Sequence, residues 1–249
     1  MPELVERPSY DQGDDAMLRS RAPQAAAFAK QILETVRPFV AAPPRSALDV
    51  GCGYGHTAVE LARHCEHVVG IEPYAELAQH AAKIASPNLE IRHGSIYELR
   101  DVERYDLIVL DNVLEHLPDQ PAALAAMTRA LRPGGALFIL VPNKLWPVEV
   151  HYHLPFLGYL PVPLANRYLR WTGRGTDYTD ASYAPTYWRM RRLLDAHPEL
   201  SYRFALPADV SLAAGGSALH YRLGVAAIRR FPMLWAVSKA FLVVAVKHG

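Results

Sequence analysis

Residues 48–55 read Leu48-Asp49-Val50-Gly51-Cys52-Gly53-Tyr54-Gly55, and no other part of the chain limits its fold so strongly. Residues 47–50 are short, apolar and preceded by the breakers Pro43 and Pro44, the pattern of a buried strand. Gly51, Gly53 and Gly55 then alternate, and glycine is required where φ turns positive or where a Cβ would strike a ligand. Residues 56–63 return to helical spacing, with Ala58, Leu61 and Ala62 on one face. A strand, a glycine turn and a helix build the ligand crevice of a doubly wound sheet. The next apolar run ends on Glu72, a carboxylate placed to accept hydrogen bonds from a ribose diol. A nucleoside-type cofactor is the first hypothesis.

The turn does not suit a dinucleotide. That fingerprint wants a third glycine at position 56, where this chain has His56. Asp49 would repel a pyrophosphate, but it can pair with a cation such as an ammonium, directly or through water. Here the chain resembles the class I S-adenosylmethionine-dependent methyltransferases. Their acid-x-Gly-x-Gly-x-Gly motif is matched by Asp49, Gly51, Gly53 and Gly55, and the acid ending their second strand by Glu72. Leu131-Arg132-Pro133-Gly134-Gly135, before an apolar run, matches the segment that precedes their fifth strand. The likeness covers roughly residues 25–145 well and the rest in outline.

The resemblance implies an α/β, Rossmann-like, doubly wound sheet of seven mostly parallel strands, the last antiparallel, with helices on both faces. The pattern along the chain agrees, with strands predicted at 45–50, 67–72, 88–93, 105–111, 135–141 and 201–205 and a last one at 241–246. Helices are predicted at 24–40, 56–64, 74–85, 120–131, 187–196 and 226–239. Residues 1–20 read as a mobile segment and 21–249 as one domain. Residues 142–186, rich in proline and aromatics, read as an irregular substrate-binding insertion or lid after the fifth strand.

Composition narrows the class. With 26 basic residues against 25 acidic ones and no basic tract, a nucleic-acid partner is not favoured; Arg189, Arg191 and Arg192 read as a solvated helix face. Cys52 and Cys65 form no disulfide framework, which points to a reduced, cytoplasmic setting. The polar start is no signal peptide, and no run of eighteen apolar residues suggests a membrane span. Residues 241–246 follow Met233-Leu234-Trp235 with Arg229 and Arg230 upstream, so a membrane-surface helix is an alternative to the final strand. The β-branched run favours the strand.

The resemblance also assigns roles. Asp49, Gly51, Cys52, Gly53 and Gly55 form the cofactor turn, and Glu72 holds the ribose. Pro73 lies where an apolar side chain meets adenine, and Ser95 stands where relatives place an acid against the adenine amino group, with Ile96 beside it in the cofactor set. Asp111 and Asn112 end the fourth strand beneath the methionine portion. They are not the Asn/Asp-Pro-Pro-aromatic tetrad of amide and adenine N-methyltransferases, so that class loses weight. The cofactor implied is S-adenosylmethionine, released as S-adenosylhomocysteine.

Methyl transfer to an alcohol needs a base, and histidine is the usual one near neutral pH. His116, His151 and His153 are the candidates. In an extended segment His151 and His153 point the same way, and with Glu149 that spacing also permits a metal; the competing reading is a purely structural role, and no metal is assigned. Trp146, Tyr152, Phe156, Tyr178, Tyr183 and Tyr187 are the expected substrate contacts, unless they form only a hydrophobic cap on the sheet. Thr172-Gly173-Arg174-Gly175-Thr176-Asp177-Tyr178 reads as a hinge, with Arg174 a candidate for an anionic group. The expected activity is methylation of a small molecule, on an oxygen of an aromatic, glycosyl or lipid-linked acceptor. N-methylation of an amine and a non-methylating protein that keeps the cofactor are the alternatives.

Overall fold

The computed structural model describes residues 22–210 and 219–249, so the segment 1–20 lies outside the described residues. Seven strands form one sheet: β1 Ser46–Val50, β2 His67–Glu72, β3 Leu89–His93, β4 Tyr105–Asp111, β5 Leu131–Pro142, β6 Leu200–Ala205 and β7 Ala240–Lys247. Their order is β3-β2-β1-β4-β5-β7-β6. The first five pair in parallel, and β7 runs antiparallel to both β5 and β6. The doubly wound sheet with a reversed final strand is therefore present. Chain order reverses between β1 and β4, the switch point where such sheets bind ligands.

Alternation along each strand divides the core in two. Leu48, Val50, Val69, Ile71, Ile108, Leu110, Leu137 and Ile139 face one side, with Leu124 and Met127 of α4 (Gln120–Ala130) and Met190 and Leu194 of α6 (Tyr187–Asp195). Ala47, Val68, Leu107, Val109 and Phe138 face the other side, with Ile32 and Val36 of α1 (Ala22–Val36) and Leu61 of α2 (His56–Ala62). Both sets are almost wholly excluded from water. Helix α3 (Ala75–Ile84) connects β2 to β3.

Three expectations need correction. The fifth strand starts at Leu131, not at residue 135, because Leu131 pairs with Tyr105 across an irregularity before the regular ladder resumes at Ala136. Helix α7 spans Leu219–Arg230 instead of 226–239; Pro232, which lacks an N–H to donate, opens a short 3-10 turn over Pro232–Val237. Residues 162–172 of the insertion are regular, forming α5 (Val162–Thr172), and Gly173 (φ +67°) is its left-handed C-cap, not a free hinge. The insertion has its own small core of Tyr152, Leu154, Leu157, Ala165, Leu169, Tyr178 and Ala181.

The last strand is buried on both faces, with Phe241, Val243 and Ala245 in one core and Leu242 and Val244 in the other. This excludes a membrane-surface role for residues 241–246. Among the described residues, no helix is long and apolar enough to cross a membrane.

Candidate active site

The glycine turn leaves β1 in the left-handed region, with Gly51 at φ +66°, Gly53 at +55° and Gly55 at +79°. The amides of Gly51 and Cys52 both donate to the Ile71 carbonyl, at 2.8 and 3.2 Å. A Cβ on Gly51 would lie 2.7 Å from Val113 Cγ2, whereas one on Gly53 would meet nothing within 4 Å among the described residues. Gly51 is therefore set by packing, and Gly53 edges open space where a ligand can approach bare backbone. Gly51→Ala is expected to lower folding stability by about 1–3 kcal/mol, from strained φ plus the clash, and Gly53→Ala by only about 1. Chemical denaturation of both variants checks this; equal losses would refute the distinction.

Glu72 is 3 % exposed and stands in the crevice. Its Oε2 accepts from the Gly53 amide at 2.8 Å and its Oε1 from the Tyr74 amide at 3.0 Å. The carboxylate thus ties the glycine turn to the loop after β2, and each oxygen keeps acceptor capacity for a diol.

Register places two more acids beside it. Asp49 pairs with Gly70 on β2 and with Val109 on β4. Glu72 and Asp111 each lie two residues beyond those partners, so Asp49, Glu72 and Asp111 share one face at the carboxyl ends of three neighbouring strands. Burial, Asp111 and Glu72 together push the Asp49 carboxyl up to about 8. Burial first, then Asp49 and Glu72, push the Cys52 thiol well above its usual range, so Cys52 stays neutral; its Sγ lies against Gly70. This concentration of negative charge in a dry crevice suits a cation.

The adenine side differs from expectation. The Ser95 hydroxyl accepts from the Tyr97 amide at 3.4 Å and forms a capping box with Glu98 over the turn Ile96–Glu98. Ile96 is buried in the core. Both side chains therefore support the loop. Pro73 is half-buried, and its carbonyl lies 3.1 Å from His93 Nε2. Asn112 (φ +53°) is exposed and donates from Nδ2 to Asp111 at 2.7 Å.

A second cluster adjoins the acids. The short turn Leu114–His116 after β4 buries Glu115 completely and leaves His116 partly accessible. His116 Nδ1 lies 2.6 Å from Asp180, and His151 Nδ1 lies 2.7 Å from Glu149. The two rings are 5.2 Å apart. Each Nε2 faces Glu115 Oε1, at 3.9 Å from His116 and 4.0 Å from His151. Burial pushes the Glu115 carboxyl up to about 7, with the two histidines opposing and Asp111 adding to the rise. Burial also pushes Glu149 upward, but hydrogen bonds from His151 and the Tyr152 amide outweigh it and leave the carboxyl below its usual range. Asp111 thus acts on both Asp49 and Glu115 and joins the two clusters.

The paired-histidine expectation fails. Val148 bridges Pro155 in antiparallel fashion, and residues between them form a turn around the Glu149 carboxylate, not an extended strand. His151 enters the site while His153 (φ +54°) is exposed to solvent. The aromatic set does not line one pocket either. Tyr152 and Tyr178 are core residues of the insertion, and the Tyr152 hydroxyl donates to the Asp177 carbonyl at 2.6 Å. Phe156 is exposed, and Tyr187 packs on Phe204 and Phe241 at the sheet. Trp146 and Tyr183 are half-buried; the Tyr183 carbonyl accepts from Gln120 Nε2 at 2.8 Å. Glu115 and Asp180 were not anticipated. The only sequence signal was an acid directly before a histidine just past a strand end.

A family model described as "Methyltransferase domain" matches residues 19–197. The ubiquinone biosynthesis O-methyltransferase of Hahella chejuensis is 32 % identical over 118 residues, covering 45 % of this chain and 49 % of that protein. The trans-aconitate 2-methyltransferase of Deinococcus radiodurans is 35 % identical over 102 residues, 40 % of this chain and 39 % of that one. The chain spans half or less of the length of these relatives. Among solved structures, the plantazolicin methyltransferase BpumL in complex with SAH superposes with a TM-score of 0.64 at 14 % identity, over 97 % of this chain and 91 % of that one.

Proposed function

This chain belongs to the methyltransferase-domain family, and from that premise we infer that it is an S-adenosylmethionine-dependent enzyme acting on an oxygen of a small-molecule acceptor. The observation that carries the reading is the set Asp49, Glu72 and Asp111 on one sheet face beside the open edge at Gly53. A sulfonium nucleoside has a diol and positive charge, and these residues fit both. Glu72 takes the ribose hydroxyls, and Asp49 and Asp111 hold the cationic methionine portion. When bound, S-adenosylmethionine supplies an electrophilic methyl group.

The acceptor lies beyond Asp111, at Glu115, His116 and His151. Polar groups that receive a proton are useful to a hydroxyl acceptor and largely unnecessary to a neutral amine. This favours oxygen over nitrogen. The acid partners on both Nδ1 atoms orient the imidazoles, as in a base held by a third group.

The test is product analysis with S-adenosylmethionine and a panel of phenols, hydroxy acids, sugars and amines. Methylation of an oxygen acceptor with release of S-adenosylhomocysteine is expected. Transfer only to amines would sink the oxygen assignment, and cofactor binding without transfer to any class would favour a non-methylating protein. His151→Ala is expected to cut transfer to an oxygen acceptor by about 10²–10⁴ while cofactor affinity stays within about twofold. A rate unchanged across pH would remove His151 from the chemistry.

A further inference from the structure

We propose that Glu115, His116 and His151 form a site for one divalent transition-metal ion, with positions left open for an oxygen of the acceptor. The substrate half of this proposal rests on the oxygen-methylation reading, with the metal in place of a free imidazole Nε2 as the group that lowers the acceptor hydroxyl's pKa; the metal half does not.

Tautomers follow from the partners. An ionised carboxylate only accepts, so Asp180 and Glu149 fix the protons of neutral His116 and His151 on Nδ1. Both Nε2 atoms then present lone pairs toward Glu115 Oε1, at 3.9 and 4.0 Å. One donor atom from each of the three residues lies within 4.8 Å of the others. Glu115 is fully buried, and among the described residues neither of its oxygens has a hydrogen-bond partner. A buried carboxylate left so is costly, and three electron-pair donors facing one another repel. A cation between them removes both penalties.

The surroundings are those of a metal centre. Histidine ligands characteristically pass their second ring N–H to a carboxylate, and here both do. Two imidazoles and one carboxylate favour a first-row transition ion over magnesium, which prefers oxygen and water. Bond lengths near 2.1 Å put tetrahedral donors about 3.4 Å apart, so the two histidine–Glu115 pairs, at 3.9 and 4.0 Å, need to close by roughly half an ångström. Glu149 does not join as a ligand through this spacing, since its oxygens already accept from His151 and Tyr152. This set also differs from the Glu149, His151 and His153 spacing, because His153 points to solvent.

The full chain, stripped with chelator and dialysed, should bind one equivalent of Zn²⁺, Mn²⁺ or Co²⁺ by calorimetry, and Co²⁺ should show ligand-field bands of nitrogen ligation. Glu115→Gln, His116→Ala and His151→Ala should each weaken binding at least tenfold, and Asp180→Asn by about 10–100-fold. Glu115→Gln relieves a buried charge and so tests the site without depending on a variant that fails to fold; unchanged S-adenosylmethionine affinity shows that the fold is intact. No stoichiometric binding, or binding that survives all four substitutions, overturns the proposal. The two readings fail separately. Metal-free protein that methylates an oxygen acceptor at full rate sinks the metal and spares the function. Metal bound by these residues, without transfer to any oxygen acceptor, does the reverse.

Discussion

Glu72→Ala is expected to weaken S-adenosylmethionine binding by at least 10²–10³-fold. Charge-assisted hydrogen bonds contribute about 1.5–3 kcal/mol each, and the side chain is placed to make two to a ribose. It also anchors the glycine turn through the Gly53 amide and the next loop through the Tyr74 amide. Removing it leaves those donors unpaired in a crevice that is 3 % exposed at this residue. Glu72→Gln separates the two effects. Its amide oxygen can still accept from one backbone N–H, but its NH₂ cannot accept from the diol. It should fold nearly as well as the parent and bind the cofactor about tenfold or more weakly. Calorimetry decides the matter: a Glu72→Ala protein that folds and binds as tightly as the parent would remove the ribose assignment.

Asp49→Asn is expected to make the ligand-free protein more stable and the cofactor site weaker. The native Asp49 carboxyl is raised from 3.8 to about 8 by burial first and by Asp111 and Glu72 second. A carboxyl raised on folding gives the native state more bound protons than the unfolded chain between those two values. Stability from this group is therefore full below about pH 4 and lost as pH rises to about 8. Asparagine stays neutral and escapes the loss. Each pKa unit corresponds to about 1.4 kcal/mol, so a gain of roughly 2–5 kcal/mol at pH 8 is expected, with little difference at pH 4. Cofactor affinity should fall about 10–100-fold, since the ionised carboxylate faces positive charge in a dry crevice. Thermal unfolding across pH reads the first effect. Calorimetry in buffers of different ionisation enthalpy reads the proton released when the parent binds at pH 7. Parallel stability curves for the two proteins would contradict the buried-acid assignment.

The fold was legible because its signals are local. Strand, glycine turn and helix follow one another from Ala47 to Ala62, and Glu72 ends a run that alternates with the sheet. The grouping of Asp49, Glu72 and Asp111 was legible for the same reason: each sits at a strand end, and register brings them to one face. The cluster around Glu115 was not. His153 was paired with His151 by strand alternation, but Glu149 gathers the backbone amides of His151 and Tyr152 and turns the chain. Ser95 carries the residue type of a ligand and the geometry of a cap. Tyr152 and Tyr178 match the composition of a pocket, yet they fill a core of their own. Glu115 was passed over because nothing in an apolar run announces that its acid will be buried unpaired. That depends on Asp180 and Glu149, distant in sequence, holding the histidines beside it.

Two of the residues around Glu115, His151 and Asp180, come from the segment between β5 and α6, which packs around its own interior. Asp49, Glu72, Asp111, Glu115 and His116 belong to the sheet and its turns, whereas His151 and Asp180 ride on a graft with a core of its own. Reshaping the graft can therefore redirect which molecule is modified while leaving the donor's seat untouched.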